Sequence, residues 1–355
     1  MAGARVAVIS DDLTGALDAT APFALLGWKV LVATSLAAVD TLLDMEADVV
    51  AVALGSREET AAEAAMRARA AARRFSGTPC IFKKIDSRMK GNVGAEVGAV
   101  ALALGLAPVL VCPAIPELGR VVVRGAVAGI GIAEPIPVAR AVEGVTAIIP
   151  DAASPADLDA AVAGFAGGLL VGARGLAAAV ARQMGRKPGT GSFSARLRGP
   201  LVIVVGSRDP ITLEQVAKVR KLPQADWIGA VDGFVPKGKN LAEVVILQAV
   251  DGPGAHGAEV AARLARGLCQ DHLAGRSMVV LTGGETAAAA LSAMGVGVLD
   301  VLGEVLPGLP LCHALNGADG LLIVTKSGGF GDVECLMQVA QMAVAGKAGS
   351  RVVVE

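Results

Sequence analysis

The chain has 355 residues, 54% hydrophobic and 18% charged, with 45 glycines, and 32 basic against 33 acidic side chains leave a net charge of −1. This apolar composition excludes a disordered chain, and the lack of a basic field argues against nucleic acid as a partner. The five scattered cysteines (Cys80, Cys112, Cys269, Cys312, Cys335) and three histidines (His256, His272, His313) form no C-x-x-C or H-E-x-x-H pattern, so they read as reduced thiols of a cytoplasmic protein without a zinc site.

In chain order, a β-branched run at 5–10 reads as a first strand rather than a secretory leader, because Asp11 and Asp12 follow it at once. A helix is predicted at 14–26, with Thr14 as its cap and Gly15 permitting close approach. Two aspartates at a strand's carboxyl end make a candidate general-base or metal site. Simple helix capping by Asp11 or Asp12 is the alternative.

Strands at 29–33, 48–54 and 79–82 alternate with helices at 58–75 and 93–104. Between the last of these strands and the last of these helices lies KKIDSRMKGN, which contains Lys84, Asp86, Ser87, Arg88, Lys90 and Asn92. A cationic cluster with one carboxylate suits an anionic substrate whose hydroxyl must be deprotonated. The alternative is a solvated, charged turn.

Residues 97–116 carry no full charge and are long enough to span a bilayer, but Gly105, Pro108 and Pro113 divide them into a helix end, a turn and a buried strand at 108–112. They read as soluble core, so no membrane partner is expected. In the following PAIPELGRVVVRG, Arg120 would complete an anion cradle with Lys84, Arg88 and Lys90. Strands at 145–149 and 168–171 and helices at 155–165 and 175–184 complete the first half.

Residues 185–199, GRKPGTGSFSARLRG, mark a domain boundary by composition, and about 150 residues per domain is the usual expectation. The expected domains are 1–190 and 200–355. Beyond the boundary come a strand at 201–205, a helix at 211–221, strands at 227–231 and 244–250, a helix at 258–274, a strand at 278–281, a helix at 286–294, a strand at 321–325 and a helix at 332–345. Apolar strands alternating with helices predict two α/β domains, each a largely parallel sheet flanked by helices.

Three loops of the second half join a strand to a helix through glycine. They contain Gly206 and Ser207; Thr282, Gly283, Gly284, Glu285 and Thr286; and Gly328 within KSGGFG. Exposed N–H groups at such turns bind phosphate, and three in one domain point to a nucleotide. No G-x-G-x-x-G follows the first strand, which disfavours a dinucleotide-dependent oxidoreductase. GFVPKGKN at 233–240 is a coincidental near-match to a P-loop: Asn240 replaces the magnesium-binding hydroxyl, and a strand follows where a helix is needed.

In this order, DDLTGA, KKIDSRMKGNVGAE, PAIPELGR, GSRDPIT, LTGGET, GEVLPGLP and KSGGFG resemble the four-carbon acid sugar kinase family over nearly the whole chain. The resemblance implies an N-terminal sugar-acid domain, a C-terminal nucleotide domain and an active site in the cleft between them. It implies ATP-dependent phosphorylation of a hydroxyl of threonate, erythronate, an oxo-tetronate or 3-oxo-isoapionate. Matching positions imply substrate contacts from Asp11, Asp12, Lys84, Asp86, Ser87, Lys90, Asn92 and Arg120, and ATP contacts from Ser207, Thr282, Gly283, Gly284, Glu285, Thr286 and Gly328.

Within that reading Asp12 or Asp86 is the catalytic base. Mg2+ bridges the ATP phosphates through Glu285 or through waters, and no dedicated metal ligands are assigned. The oligomeric state stays open, with a homodimer as one option. Two departures from the family pattern bear on substrate identity: DSRMKGN replaces the usual D-S-T-L-R-G-N, and residues 125–144 lack the His-Pro stretch of other members. The rival reading is a non-catalytic ATP- or sugar-acid-binding regulator that kept the fold.

Overall fold

A computed structural model of the chain describes residues 3–187, 194–195, 197, 199–252, 254, 257–318, 320–345 and 352–353. Much of the expected boundary segment, and His256, lie outside the described residues. The chain divides into two compact units, Met1–Gly191 and Ser192–Glu355.

The first unit runs β1 (Val6–Ser10), α1 (Leu13–Leu25), β2 (Val30–Ala33), α2 (Val39–Leu43), β3 (Val49–Ala53), α3 (Ala61–Arg74), β4 (Cys80–Lys84), α4 (Val93–Leu104), β5 (Val109–Cys112), β6 (Arg120–Val123), β7 (Ala126–Gly129), β8 (Ile136–Pro137), α5 (Val138–Ala141), β9 (Ala147–Ile148), α6 (Pro155–Ala163), β10 (Leu169–Gly172) and α7 (Arg174–Met184). Its main sheet has the order β2-β3-β1-β4-β10-β5-β9. Every pairing in it is parallel. β1, β2, β3 and β5 are buried along their whole length. This is why they appear in the sequence as unbroken apolar runs rather than alternating ones. α3 packs on α4, and α7 packs on α1 and α6.

After β1 the chain builds β2 and β3 on one side, then crosses over to place β4 on the other. The carboxyl ends of β1 and β4 therefore flank a topological switch point, where open α/β sheets take their ligands. Asp11, Asp12 and the segment following Lys84 emerge there.

The second unit runs β11 (Ser194–Ala195), β12 (Leu201–Val205), α8 (Pro210–Val219), β13 (Ala225–Val231), β14 (Val244–Val250), α9 (Gly257–Gly267), β15 (Met278–Thr282), α10 (Gly284–Ala293), β16 (Val298–Leu306), β17 (Leu309–Ala314), β18 (Leu322–Lys326), α11 (Cys335–Ala345) and β19 (Val352–Val353). Its sheet order is β13-β14-β12-β15-β18-β17-β16. Only the β17 pairings are antiparallel. α8 packs on α11, and α9 packs on α10. The switch point of this unit falls between β12 and β15, whose carboxyl ends carry Gly206 and Gly283.

Several local expectations change. Asp12, not Thr14, caps α1: it has extended backbone angles and its side chain accepts from the Gly15 N–H. β4 runs through Lys84, so both lysines are strand residues, 0% and 5% exposed, rather than parts of a solvated turn. The segment after Gly119 is not a loop but an antiparallel sheet of β6, β7 and β8. β16 and β17 form a hairpin that the apolar pattern did not reveal, and the last helix begins at Cys335. Among the described residues no helix is long and apolar enough to cross a membrane.

Candidate active site

In the first unit, the turn from β1 into α1 presents two carboxylates to one guanidinium. Arg57 Nε donates to Asp11 Oδ2 at 2.7 Å, and its Nη1 lies 2.9 Å from Asp12 Oδ2. Asp12 is further held by the Gly15 N–H on Oδ1 at 2.8 Å and by the Thr14 hydroxyl on Oδ2 at 3.0 Å. Asp11 Oδ1 and the Ser10 hydroxyl are buried without a partner. Buried polar groups are rarely left so, which marks this turn as built for something beyond capping.

The two carboxyls titrate apart. Burial works to raise that of Asp11, but the charges of Lys83, Arg57 and Lys84 outweigh it and hold Asp11 below the usual range. For Asp12, burial and the adjacent Asp11 charge prevail over Arg57 and Lys84 and push it up. Neighbouring carboxyls driven in opposite directions are a common signature of a general acid–base site.

Lys84 comes from the adjacent strand and donates to Ile85 O at 3.0 Å. Gly15 shows how tightly these groups converge. A methyl placed there would strike Asp12 Oδ1 and lie 2.9 Å from Ser10 Oγ and 3.0 Å from Lys84 Nζ. Only a glycine leaves that space open.

The following turn is organised by Asp86, whose Oδ1 accepts from Arg88 N at 2.8 Å and Lys90 N at 3.4 Å. Met89 and Gly91 sit at φ of 57° and 85°, which closes the turn. Ser87 is buried and accepts from Arg120 Nη1 at 2.9 Å, while Arg120 Nε donates to Ile130 O at 3.0 Å. Burial and then the neighbouring charge of Arg88 lower the pKa of Arg120. Arg88 and Lys90 are exposed. Asn92 donates to Ser56 O at 3.2 Å and Glu59 O at 2.8 Å, so its amide nitrogen secures the loop after β3.

In the second unit the three glycine-rich loops leave β12, β15 and β18, which are adjacent parallel strands. They converge: a methyl on Gly206 would collide with Thr286 Oγ1, and one on Gly328 would lie 2.7 Å from Ser207 Oγ. Gly283, at φ 90°, caps α10, whose first turn holds Gly284, Glu285 and Thr286. Thr282 closes β15 with its hydroxyl buried and unpartnered. Glu285 is exposed. Free N–H groups of a helix N-terminus beside close-packed glycines form an anion site.

Beneath the third loop lies Lys326, fully buried, which donates to Thr212 Oγ1 at 2.9 Å, Ser327 O at 3.1 Å and Gly328 O at 2.8 Å. Burial lowers its pKa to about 8. Thr212 Oγ1 also donates to Gly328 O, and Gln215 Nε2 donates to Phe330 O and Asp332 O. The Gly328, Phe330 and Asp332 carbonyls are thus turned toward α8.

Sequence reasoning did not single out Arg57, Glu96, Lys326 or Thr212. Arg57 had a usable signal, since it follows the carboxyl end of β3 just as Asp12 follows β1. A lysine closing an apolar strand before Ser-Gly-Gly was the corresponding sign for Lys326.

Comparison with known proteins adds an independent line. A family described as "Sugar-binding N-terminal domain" matches residues 6–133, and one described as "Nucleotide-binding C-terminal domain" matches residues 235–336. The chain is 31% identical to a D-threonate kinase of Bordetella bronchiseptica, over 96% of this chain and 98% of the relative. It is also 31% identical to a D-threonate kinase of Cupriavidus necator, over 97% and 99%. A 3-oxo-tetronate kinase of Cupriavidus necator is 28% identical over 91% and 93%. Among solved structures, a Haemophilus influenzae protein superimposes with a TM-score of 0.64 at 22% identity, covering 94% of this chain and 99% of that one, a likeness of fold. With two relatives above 30% identity across almost its full length, the chain belongs to the four-carbon acid sugar kinase family.

Proposed function

We propose that the protein is an ATP-dependent kinase acting on a hydroxyl of a small sugar acid, with threonate, erythronate and 3-oxo-tetronates as first candidates. In this reading residues 1–190 hold the acid and residues 200–355 hold the nucleotide. The observation that carries it is the group at the β1/β4 switch point: a carboxyl pushed up in pKa, Asp12, beside fixed cations from Arg57 and Lys84. Such a group accepts a proton from a hydroxyl while the cations keep the acid's own charge in place.

Phosphoryl transfer asks little covalent chemistry of the protein, so positioning and charge neutralisation do most of the work. Lys84, Arg88, Lys90 and Arg120 grip the carboxylate and outer hydroxyls of the acceptor, with Asp11 and Ser87 as further polar contacts. Asp12 takes the proton of the attacking hydroxyl. Asp86 is the weaker candidate for that role, since one of its oxygens already accepts two backbone N–H groups of its own turn.

On the nucleotide side, Ser207, Thr282, Thr286 and the backbone of Gly283, Gly284 and Gly328 surround the phosphates. Among the described residues no three metal-ligating side chains gather. Magnesium keeps most of its ligands as water and phosphate oxygens and takes one or two carboxylates. Glu285 would hold it, and magnesium bound there supplies neutralisation of phosphate charge.

The test is an ATP-consumption screen over D- and L-threonate, erythronate, 3-oxo-tetronates and branched sugar acids, with 31P NMR of the product. The expected result is stoichiometric ADP and a phosphorylated acid with at least one of them. Binding of ATP without turnover on any sugar acid would overturn the proposal.

A further inference from the structure

Behind the Asp11–Asp12 turn lies a second, fully buried ion pair that the reaction does not touch. Lys83 Nζ is 2.7 Å from Glu96 Oε2, and the two side chains are 0% and 1% exposed. Lys83 also donates to Lys84 O at 2.8 Å. The other oxygen of Glu96 accepts the Ser56 hydroxyl at 2.6 Å. Ser56 is buried, its N–H donates to Asp11 O at 3.0 Å, and the next residue is Arg57.

Two further bonds fasten the same loop. Asn92, immediately before α4, donates to Ser56 O and Glu59 O, and the Leu54 N–H donates to Ser10 O at 2.8 Å. β4, through Lys83, and α4, through Glu96 and Asn92, thus converge on the loop that aims the Arg57 guanidinium.

We infer that Glu96 and Ser56 are positioning residues: the buried pair fixes the Ser56–Arg57 loop, and through Arg57 it sets the geometry and protonation of Asp11 and Asp12. An ion pair wholly withdrawn from water adds little net stability over apolar side chains of similar volume. Its use here is to fix one backbone position. Arg57 in turn is a charge that opposes the upward shift of Asp12. Should the loop relax, that opposition fades and Asp12 holds its proton to higher pH. The charged groups around Asp12 are Asp11, Arg57 and Lys84, with Lys83 acting on Asp11 and Asp86 acting on Arg57.

The inference deepens the kinase reading and rests on Asp12 as the base, so the experiment carries one readout that needs no turnover. Two variants are compared with the parent protein. Ser56→Ala keeps the ion pair and removes only its link to the loop. The double variant Lys83→Met/Glu96→Leu removes both charges together, which avoids a stranded buried ion.

For each, kcat and KM for the sugar acid are measured against pH, and the carboxyls of Asp11 and Asp12 are titrated by 13C NMR. The expected result is a roughly tenfold lower kcat with little change in KM for ATP, an acid limb moved to higher pH, and Asp12 titrating higher in both variants. Folded variants with the parent's acid limb and the parent's Asp12 titration would overturn the inference. Asp12 titrating higher in Ser56→Ala, where no charge has been removed, in a protein that phosphorylates no sugar acid would uphold the positioning role and defeat the kinase reading instead.

Discussion

The two units solve one architectural problem with different chemistry. Both bring loops to the switch point of a parallel sheet. The first unit fills that place with charged side chains: Asp11, Asp12, Arg57 and Lys84, backed by Lys83 and Glu96. The second fills it with glycine and backbone, the third loop being secured from below by Lys326, Thr212 and Gln215. Under the proposed function, the contrast reflects what each ligand would demand. A small hydroxy acid offers one carboxylate and several hydroxyls, so it must be read by groups with direction and charge. A polyphosphate offers many equivalent oxygens, and close-packed N–H groups suffice for it.

The contrast breaks most sharply at Asp12. Asp12→Asn should lower kcat about a hundredfold to ten-thousandfold, the range for a general base, with nucleotide affinity unchanged. Steady-state turnover and nucleotide titration on the same preparation check this, and a variant with normal kcat removes Asp12 from the mechanism.

Next is Lys326, where pH gives the sign. Its pKa is about 8 in the folded chain against 10.5 for a free lysine. Below pH 8 both states are protonated and the full cost of burying the charge is present. Between 8 and 10.5 the unfolded chain binds more protons, so stability rises with pH. At about 1.4 kcal/mol per pKa unit the gain is roughly 3 kcal/mol relative to Lys326→Met. Urea melts of both proteins at pH 7 and pH 10 measure it. A difference independent of pH would mean that the amine is not desolvated.

Gly206→Ala sharpens the contrast from the nucleotide side. The added methyl meets Thr286 Oγ1, and overpacking of this kind costs about 1–3 kcal/mol. Calorimetry should find ATP bound about tenfold or more weakly while sugar-acid binding is untouched. Equal losses for both ligands would erase the division of labour.

The smallest effect is a control: Ser154→Ala removes the capping box of α6, with an expected loss of about 1 kcal/mol in stability and none in kcat or KM.

The fold was legible where burial on both faces leaves an unbroken apolar run, as in β1, β3, β12 and β15. It was not legible at β16 and β17, because Asp300, Gly303, Glu304, Pro307 and Pro310 interrupt the pattern and read as loop chemistry. The polar turns after β1, β4, β12, β15 and β18 could be read because their residue types are unusual for their position. Lys83 was placed in a cationic substrate cluster beyond the strand, whereas it lies within β4: its partner Glu96 is on the next helix, and a one-dimensional pattern shows charge but not neutralisation. Arg57 fell in the unassigned gap between the strand predicted at 48–54 and the helix predicted at 58–75, and only the pairing of β3 with β1 reveals that it overlooks the aspartates that follow β1.

The crowding around Gly15 has a practical corollary. The wall that α1 lends to the first unit has no slack, since even one carbon added there runs into a carboxylate, a hydroxyl and an amine. If the proposed function holds, retuning toward bulkier acceptors would start from the solvent side, at the exposed Arg88 and Lys90, where side chains can be shortened without disturbing the packed interior.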